Sequence, residues 1–402
     1  MTRAYDGLKV LDFTAMIAGP HCTRLLADLG ADVIKLEPPE GDYMRSRGPL
    51  RDGHSTYYGS LNCGKKSLCV DLKKPQAREL VLELAAQADV VVENFRPGVM
   101  QRLGFGHAAL SALNPRLVYC SISGYGQSGS LADRPAYAPI VHAASGFDMA
   151  MLHYQDGLSR PLQSGIFIAD ILSGVNAFGG IGAALYRREK TGQGEYVDVT
   201  LMDSMLGLLV YECQEAQFPQ AGRRPLYRAT AAKDGFVIIA PISQANFEAM
   251  AKAAGHPEWI GDARFAGVAA RSRNWDALMD LLDEWAADRS AEECEQIMRA
   301  GGVPCSRYHS VREAMATAYA EERGSFARVR DGGGEFLAPN PAFRMHGSPG
   351  GAAPWVDPLG GHNRAIVAAL PGRGDADVER LLAEGVLRGK AGASAASPAQ
   401  GA

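Results

Sequence analysis

The sequence predicts an α/β protein, a doubly wound Rossmann-like sheet in a large domain followed by a smaller α+β domain. Three observations carry that prediction. From residue 8 onward, short apolar runs alternate with helical segments through brief connections, the pattern of βαβ units in a parallel sheet. The texture changes near residue 225, where one strand-like run is followed by several helices. The length, 402 residues, exceeds what one core usually organises.

The elements follow in order. Residues 8–13 read as a buried strand, 21–29 as a helix closed by Gly30, and 31–36 as the next strand. A second unit has a strand at 67–71, a helix at 75–87 and a strand at 88–93. Residues 115–122 add a further strand. A small-residue helix from Ile171 to Leu185 leads to an alternating strand at 194–200 and a helical stretch at 201–217. Beyond these come a strand at 235–240, helices near 244–254, 274–286 and 291–300, and a last helix near 375–384. The expected layout is a large domain over 1–205, a linker over 206–224 and a small domain over 225–325. Residues 326–388 form a second linker and return to the large domain. The Gly/Ala/Ser/Pro tail 389–402 is expected to be disordered.

Several function classes lose their warrant. The net charge of −4 lacks the basic excess of a nucleic-acid binder. No apolar leader and no uninterrupted run of about 18–20 apolar residues stands out, so neither a signal peptide nor a membrane partner is expected. Seven cysteines without a C-x-x-C pair suggest reduced thiols in a cytoplasmic protein. Nine histidines show no H-E-x-x-H spacing, so no metal is expected. Glu37 at the end of the second strand invites a dinucleotide reading. However, the loop Thr14-Ala-Met-Ile-Ala-Gly-Pro-His21 has one glycine where G-x-G-x-x-G is required, and no P-loop occurs.

Asp170 is the leading candidate for chemistry. It stands where the run 166–169 meets the small-residue helix. Taken alone, an aspartate there is a helix cap. A helix start also favours an ionised carboxylate, and such a carboxylate can attack a thioester covalently.

The surroundings of Asp170 decide between these readings. Five segments occur in order: Val10-Leu-Asp-Phe-Thr14 with residues 18–20 and 26–37; Leu61-Asn-Cys-Gly-Lys-Lys-Ser67 with Asp71-Leu-Lys-Lys-Pro75; Asp89-Val-Val-Val-Glu-Asn-Phe-Arg-Pro-Gly98 with Arg102-Leu-Gly-Phe105; Ser121-Ile-Ser-Gly-Tyr-Gly126 with Arg134-Pro-Ala-Tyr137; and Ala169-Asp170 with Thr191-Gly-Gln-Gly194 and Val197-Asp-Val199. Weaker matches are Gly302-Val-Pro304 and Leu359-Gly-Gly-His362. Together they resemble the family III CoA-transferases, the formyl-CoA transferase and carnitine CoA-transferase superfamily, which includes α-methylacyl-CoA racemases.

The resemblance implies that Asp170 attacks an acyl-CoA, passing through an aspartyl anhydride and an aspartyl-CoA thioester. It implies oxyanion donors near Ile17 and Gly19, with Tyr137 in the substrate region. CoA contacts are implied at Leu72, Lys73, Lys74, Pro75, Asn94, Phe95, Arg96 and Arg102. Coenzyme A enters as acyl-CoA substrate, a small organic acid is the acceptor, and no cofactor is tightly bound. An interlocked homodimer is implied too, with the glycines at 174, 179, 180 and 182 suiting close helix contact.

There are departures from the family pattern. Pro38 replaces a basic residue, and Ile17 replaces a glutamine of formyl-CoA transferase-like members. Tyr137 stands where racemases offer histidine, and a phenol is a poor base at neutral pH. Transferase is therefore expected ahead of racemase or epimerase, and a non-catalytic CoA-binding paralogue last. His142, flanked by apolar residues, reads as a core or interface histidine. Arg223, Arg224 and Arg228 read as linker surface or as partners of a dicarboxylate.

Overall fold

The computed structural model describes residues 2–219, 224–241 and 243–389. The chain forms two compact units, one holding residues up to Cys213 with those from Glu322 onward, the other residues 214–321.

The larger unit is built on a parallel sheet. Its strands are β1 (Lys9–Asp12), β2 (Asp32–Glu37), β5 (Lys66–Cys69), β6 (Val90–Glu93), β7 (Val118–Ser123) and β8 (Glu195–Thr200); a two-residue hairpin, β3 (Leu50–Arg51) with β4 (His54–Ser55), lies outside it. The spatial order is β5-β2-β1-β6-β7-β8, with every pair parallel. Counting sheet strands alone, that is the 3-2-1-4-5-6 order of doubly wound dinucleotide folds.

Strand residues point alternately to two covered faces. Leu11, Leu36, Leu68, Val91 and Tyr119 bury on one core. There they meet α3 (Pro75–Ala86) and α5 (His107–Leu113). Val10, Val33, Val90, Val92, Val118 and Ile122 bury on the other. That core is closed by α1 (Ala18–Asp28), α6 (Ala138–Ala144) and α8 (Ile168–Thr191). The remaining helices before β8 are α2 (Thr56–Asn62), α4 (Val99–Leu103) and α7 (Phe147–His153), and α9 (Leu201–Leu208) follows it.

Three expectations need correction. Helix α8 starts at Ile168 with Phe167 at its N-cap, so Asp170 is the third helical residue and not the cap. At 24 residues, α8 is also long and apolar enough by composition to cross a membrane. Here its Ala169, Gly174, Ala177 and Ile181 are buried in the second core. The second expected linker is also partly structured, whereas the helical stretch expected at 201–217 is found. Helices run to Leu208 and over Val210–Gln217. A hairpin of β12 (Phe326–Asp331) and β13 (Gly334–Pro339) occupies the start of the second. Gly332 and Gly333 form its two-residue turn, a demand for permissive backbone that reads in sequence as linker composition.

The segment Leu359–His362 seals the edge strand β5. Ser67 Oγ accepts the Gly360 N–H at 2.9 Å, and Asp357 accepts the Ser67 N–H at 2.7 Å. The second unit holds an antiparallel sheet, β11 (Cys305–Arg307), β10 (Gly235–Ile239) and β9 (Thr230–Ala232), under helices Gln244–Ala253, Trp275–Ala286 and Ala291–Ala300. Its core gathers Val237, Phe247, Met250, Leu282 and Trp285. Arg223 and the tail from 390 lie outside the described residues.

Candidate active site

In an open parallel sheet, ligands enter at the carboxyl ends of the strands, where the strand order reverses. Here that point lies between β1 and β6. Two loops leave it, 13–17 and 94–98, and one side chain ties them together. Asn94 Oδ1 accepts the Ala15 N–H at 2.9 Å and its Nδ2 donates to the Ala15 carbonyl at 2.8 Å.

Buried charge fixes the first loop from below. Asp12 accepts bonds from the Thr14 N–H at 2.8 Å, Thr23 Oγ1 at 2.6 Å and Lys65 Nζ at 3.1 Å. Lys35 donates to the Thr14 carbonyl at 2.7 Å and pairs with Asp42 at 3.0 Å. Burial raises the Asp12 carboxyl, but Lys65, Lys35 and the two threonine hydroxyls more than offset it, so the net pKa is lowered. The loop they hold places Met16 at φ +67°, a conformation costly for a residue with a side chain and one that persists only where the surroundings enforce it.

The loop ends at Ile17, the buried N-cap of α1. Pro20 has no N–H to offer, so the free amides of this first turn belong to the residues around Ile17, Ala18 and Gly19. A Cβ on Gly19 would stand 2.3 Å from Thr14 Cγ2, so the turn closes only on glycine.

Helix α8 brings Asp170 to this turn. A Cβ at Gly174 would lie 2.6 Å from the Ala18 carbonyl oxygen, so the two backbones touch there. Asp170 lies one turn earlier, on the same face, and therefore on the side of α8 that meets the start of α1. Its side chain forms no hydrogen bond with a described residue, and burial pushes its pKa up to about 6. Tyr57, in the first turn of α2, has its phenol raised by burial and then by the Asp170 charge. Sequence reasoning missed Tyr57; its only signal is its place just before the segment at 61–67.

The expected CoA residues share the carboxyl edge of the sheet. Leu72 and Phe95 pack on the first core, Lys74 is the N-cap of α3 with Pro75 following, and Lys73, Arg96 and Arg102 are exposed. The ends of β5 and β6 are three strand spacings apart, about 14 Å, a span that suits an extended ligand. Asn94 belongs to this group by position, although its amide is spent on Ala15.

Glu37 is not free to hold a ribose. Arg45 grips both its oxygens at 2.7 Å, and Ser67 and Tyr58 donate to it at 2.6 and 3.2 Å. Glu93, also unforeseen, is buried beneath the second loop. Its Oε2 accepts the Phe95 N–H at 2.8 Å and burial pushes its pKa up to about 7.

Tyr137 caps α6 and is 63% exposed. His142, five residues on, is buried, and its Nε2 accepts the Ala169 N–H at 3.1 Å. That lone pair is therefore engaged and not available as a base. Arg228 pairs with Asp280 and Asp283 at 2.6 and 2.7 Å, and Arg224 is exposed. Among the described residues, no cluster of three metal-ligating side chains occurs and the seven cysteines are free thiols.

The family model described as CoA-transferase family III matches residues 5–363. The chain is 34% identical to a succinyl-CoA–D-citramalate CoA-transferase of Chloroflexus aurantiacus, over 96% of this chain and 98% of that protein. It is 37% identical to an acetyl-CoA:oxalate CoA-transferase of Acetobacter aceti, over 91% and 96%. It also resembles the crystal structure of a CAIB/BAIF family protein from Brucella suis, with a TM-score of 0.81 and 31% identity over 92% of this chain and all of that one.

Proposed function

We propose a reaction course for this chain, which belongs to CoA-transferase family III and moves CoA between an acyl-CoA and a carboxylic acid. Asp170 attacks the thioester carbonyl, forming an acyl–aspartyl anhydride and expelling CoA thiolate. The thiolate returns to the aspartyl carbonyl, giving aspartyl-CoA thioester and releasing the donor acid. The acceptor carboxylate attacks that thioester to form a second anhydride, and CoA thiolate then attacks its acyl carbonyl, releasing the new acyl-CoA and the Asp170 carboxylate. Covalent catalysis divides one hard exchange into easier steps.

One observation carries the reading: a carboxylate with no hydrogen bond to a described residue, on the face of α8 that meets the start of α1. First-turn amides near Ile17 and Gly19 are suited to the oxyanions that develop on each carbonyl, and Tyr137 to the acid. Lys73, Lys74, Arg96 and Arg102 are suited to the CoA phosphates, with Leu72, Pro75 and Phe95 as apolar support. Arg96→Ala and Arg102→Ala are each expected to raise KM for acyl-CoA several-fold with kcat little changed, since they supply binding shared by ground and transition states. A drop in kcat at constant KM would remove them from the phosphate role.

A cytoplasmic homodimer is part of the proposal. Met149, Ile166, Val175 and Tyr186 stand exposed on and beside α7 and α8, an apolar surface that suits a second copy. Light scattering is expected to give twice the chain mass, and a monomer at micromolar concentration would refute it.

The relatives' names, with oxalate and citramalate as acids, point to small dicarboxylates as first acceptors. Succinyl-, acetyl- and formyl-CoA should be offered with each acid, following exchange by mass spectrometry and trapping Asp170 with hydroxylamine. Transfer with a hydroxamate at Asp170 supports the course. Solvent deuterium at the α-carbon without exchange would favour a racemase instead.

A further inference from the structure

We propose that His142 is a positioning residue for Asp170, holding the first turn of α8 so that the carboxylate stays unbonded and free to attack. The proposal rests on Asp170 being the nucleophile.

The first amides of a helix have no partner within it. In α8 the N-cap is Phe167, whose side chain cannot accept a bond. Ile168 N–H is taken by the Ile166 carbonyl at 3.1 Å and Ile171 N–H by the Phe167 carbonyl at 3.2 Å. Ala169 N–H goes to His142 Nε2, supplied by α6 from 27 residues upstream. A backbone N–H can only donate, so Nε2 carries no proton and the neutral ring keeps its proton on Nδ1. The ring is 2% exposed and lies against Phe147, with centroids 5.5 Å apart, so packing fixes where it aims.

Asp170 is at the position from which an acidic side chain commonly folds back onto the start of its own helix. Without the imidazole, Ala169 N–H would be a buried orphan one residue from a carboxylate. The carboxylate would then be the nearest acceptor and would be drawn away from the thioester.

The test compares His142→Asn and His142→Gln in the full-length protein. A glutamine Oε1 reaches the place of Nε2, and an asparagine Oδ1 stops short of it. The readouts are the rate of hydroxylamine trapping at Asp170 with acyl-CoA and the Kd for CoA. His142→Asn is expected to trap at least about tenfold more slowly at unchanged Kd, and His142→Gln to return within about threefold of the parent. Trapping by His142→Asn at the parent rate would overturn the proposal. So would His142→Gln as slow as His142→Asn, or a rate loss matched by weaker CoA binding, which marks a general structural role. No hydroxamate at Asp170 in the parent protein would instead remove the nucleophile assignment on which the proposal rests.

Discussion

Asp170→Asn is expected to lower CoA exchange by at least about 10³-fold while leaving CoA affinity unchanged. The amide has nearly the shape of the carboxylate, so the contact between α8 and α1 at Gly174 survives. What disappears is the proposed nucleophile, and a carboxamide forms no anhydride. Steady-state exchange and calorimetric titration with CoA separate the two effects. Retained turnover above one tenth of the parent rate would take Asp170 out of the covalent path.

On the proposed course the same carboxylate sets the pH dependence. Burial raises its pKa to about 6, and only the ionised form would attack. In the free enzyme kcat/KM is therefore expected to be flat above pH 7 and to fall about tenfold by pH 5. Stability runs the other way. A raised carboxyl binds its proton more tightly folded than unfolded, so its stabilising contribution is present in acid and lost as pH rises through about 6. Asp170→Asn is thus expected to melt higher than the parent at pH 7.5 and to lose that advantage near pH 4. An equal advantage at both pH values would show that the gain is unrelated to ionisation.

Much of the fold was legible because its strands are buried on both faces. Val90-Val-Val92 and Leu8 to Phe13 can only be central strands, and the order of units along the chain then implies the sheet. The start of α8 was misread because Phe167 at the N-cap carries none of the polar signature that marks helix starts, its cap arriving from His142. The sequence singled out candidate residues, from Ile17 to Lys74 to Phe95, that the fold sets at the carboxyl edge of the sheet, but it did not show their geometry. The supports under the first loop join residues far apart in sequence: Asp12 with Lys65, Thr14 with Lys35, Ala15 with Asn94. No local pattern marks such pairs. Asn94 shows the consequence, since it belongs to a segment proposed to hold CoA while its amide serves the neighbouring loop. Tyr57 was invisible for the same reason, its relation to Asp170 arising only when the fold brings its phenol within reach of that charge.

Gly174→Val is the second large effect expected, and it tests geometry without touching the reacting groups. An added Cβ would stand 2.6 Å from the Ala18 carbonyl oxygen and 3.2 Å from two His21 carbons. Backbone cannot yield as a flexible side chain can, so α8 must move away from α1. Overpacking of this kind costs about 1–3 kcal/mol, and a lower melting temperature is expected. The displacement also separates Asp170 from the amides of the Ile17 turn. A misplacement near 1 Å can cost about 10²-fold in rate, and that loss should fall on kcat, because the exposed Lys73, Arg96 and Arg102 proposed to bind CoA are not on either helix. If Gly174→Val matched the parent in kcat, the close approach of α8 to α1 would not be what aims Asp170. If it lost only KM, the contact would serve binding and not attack.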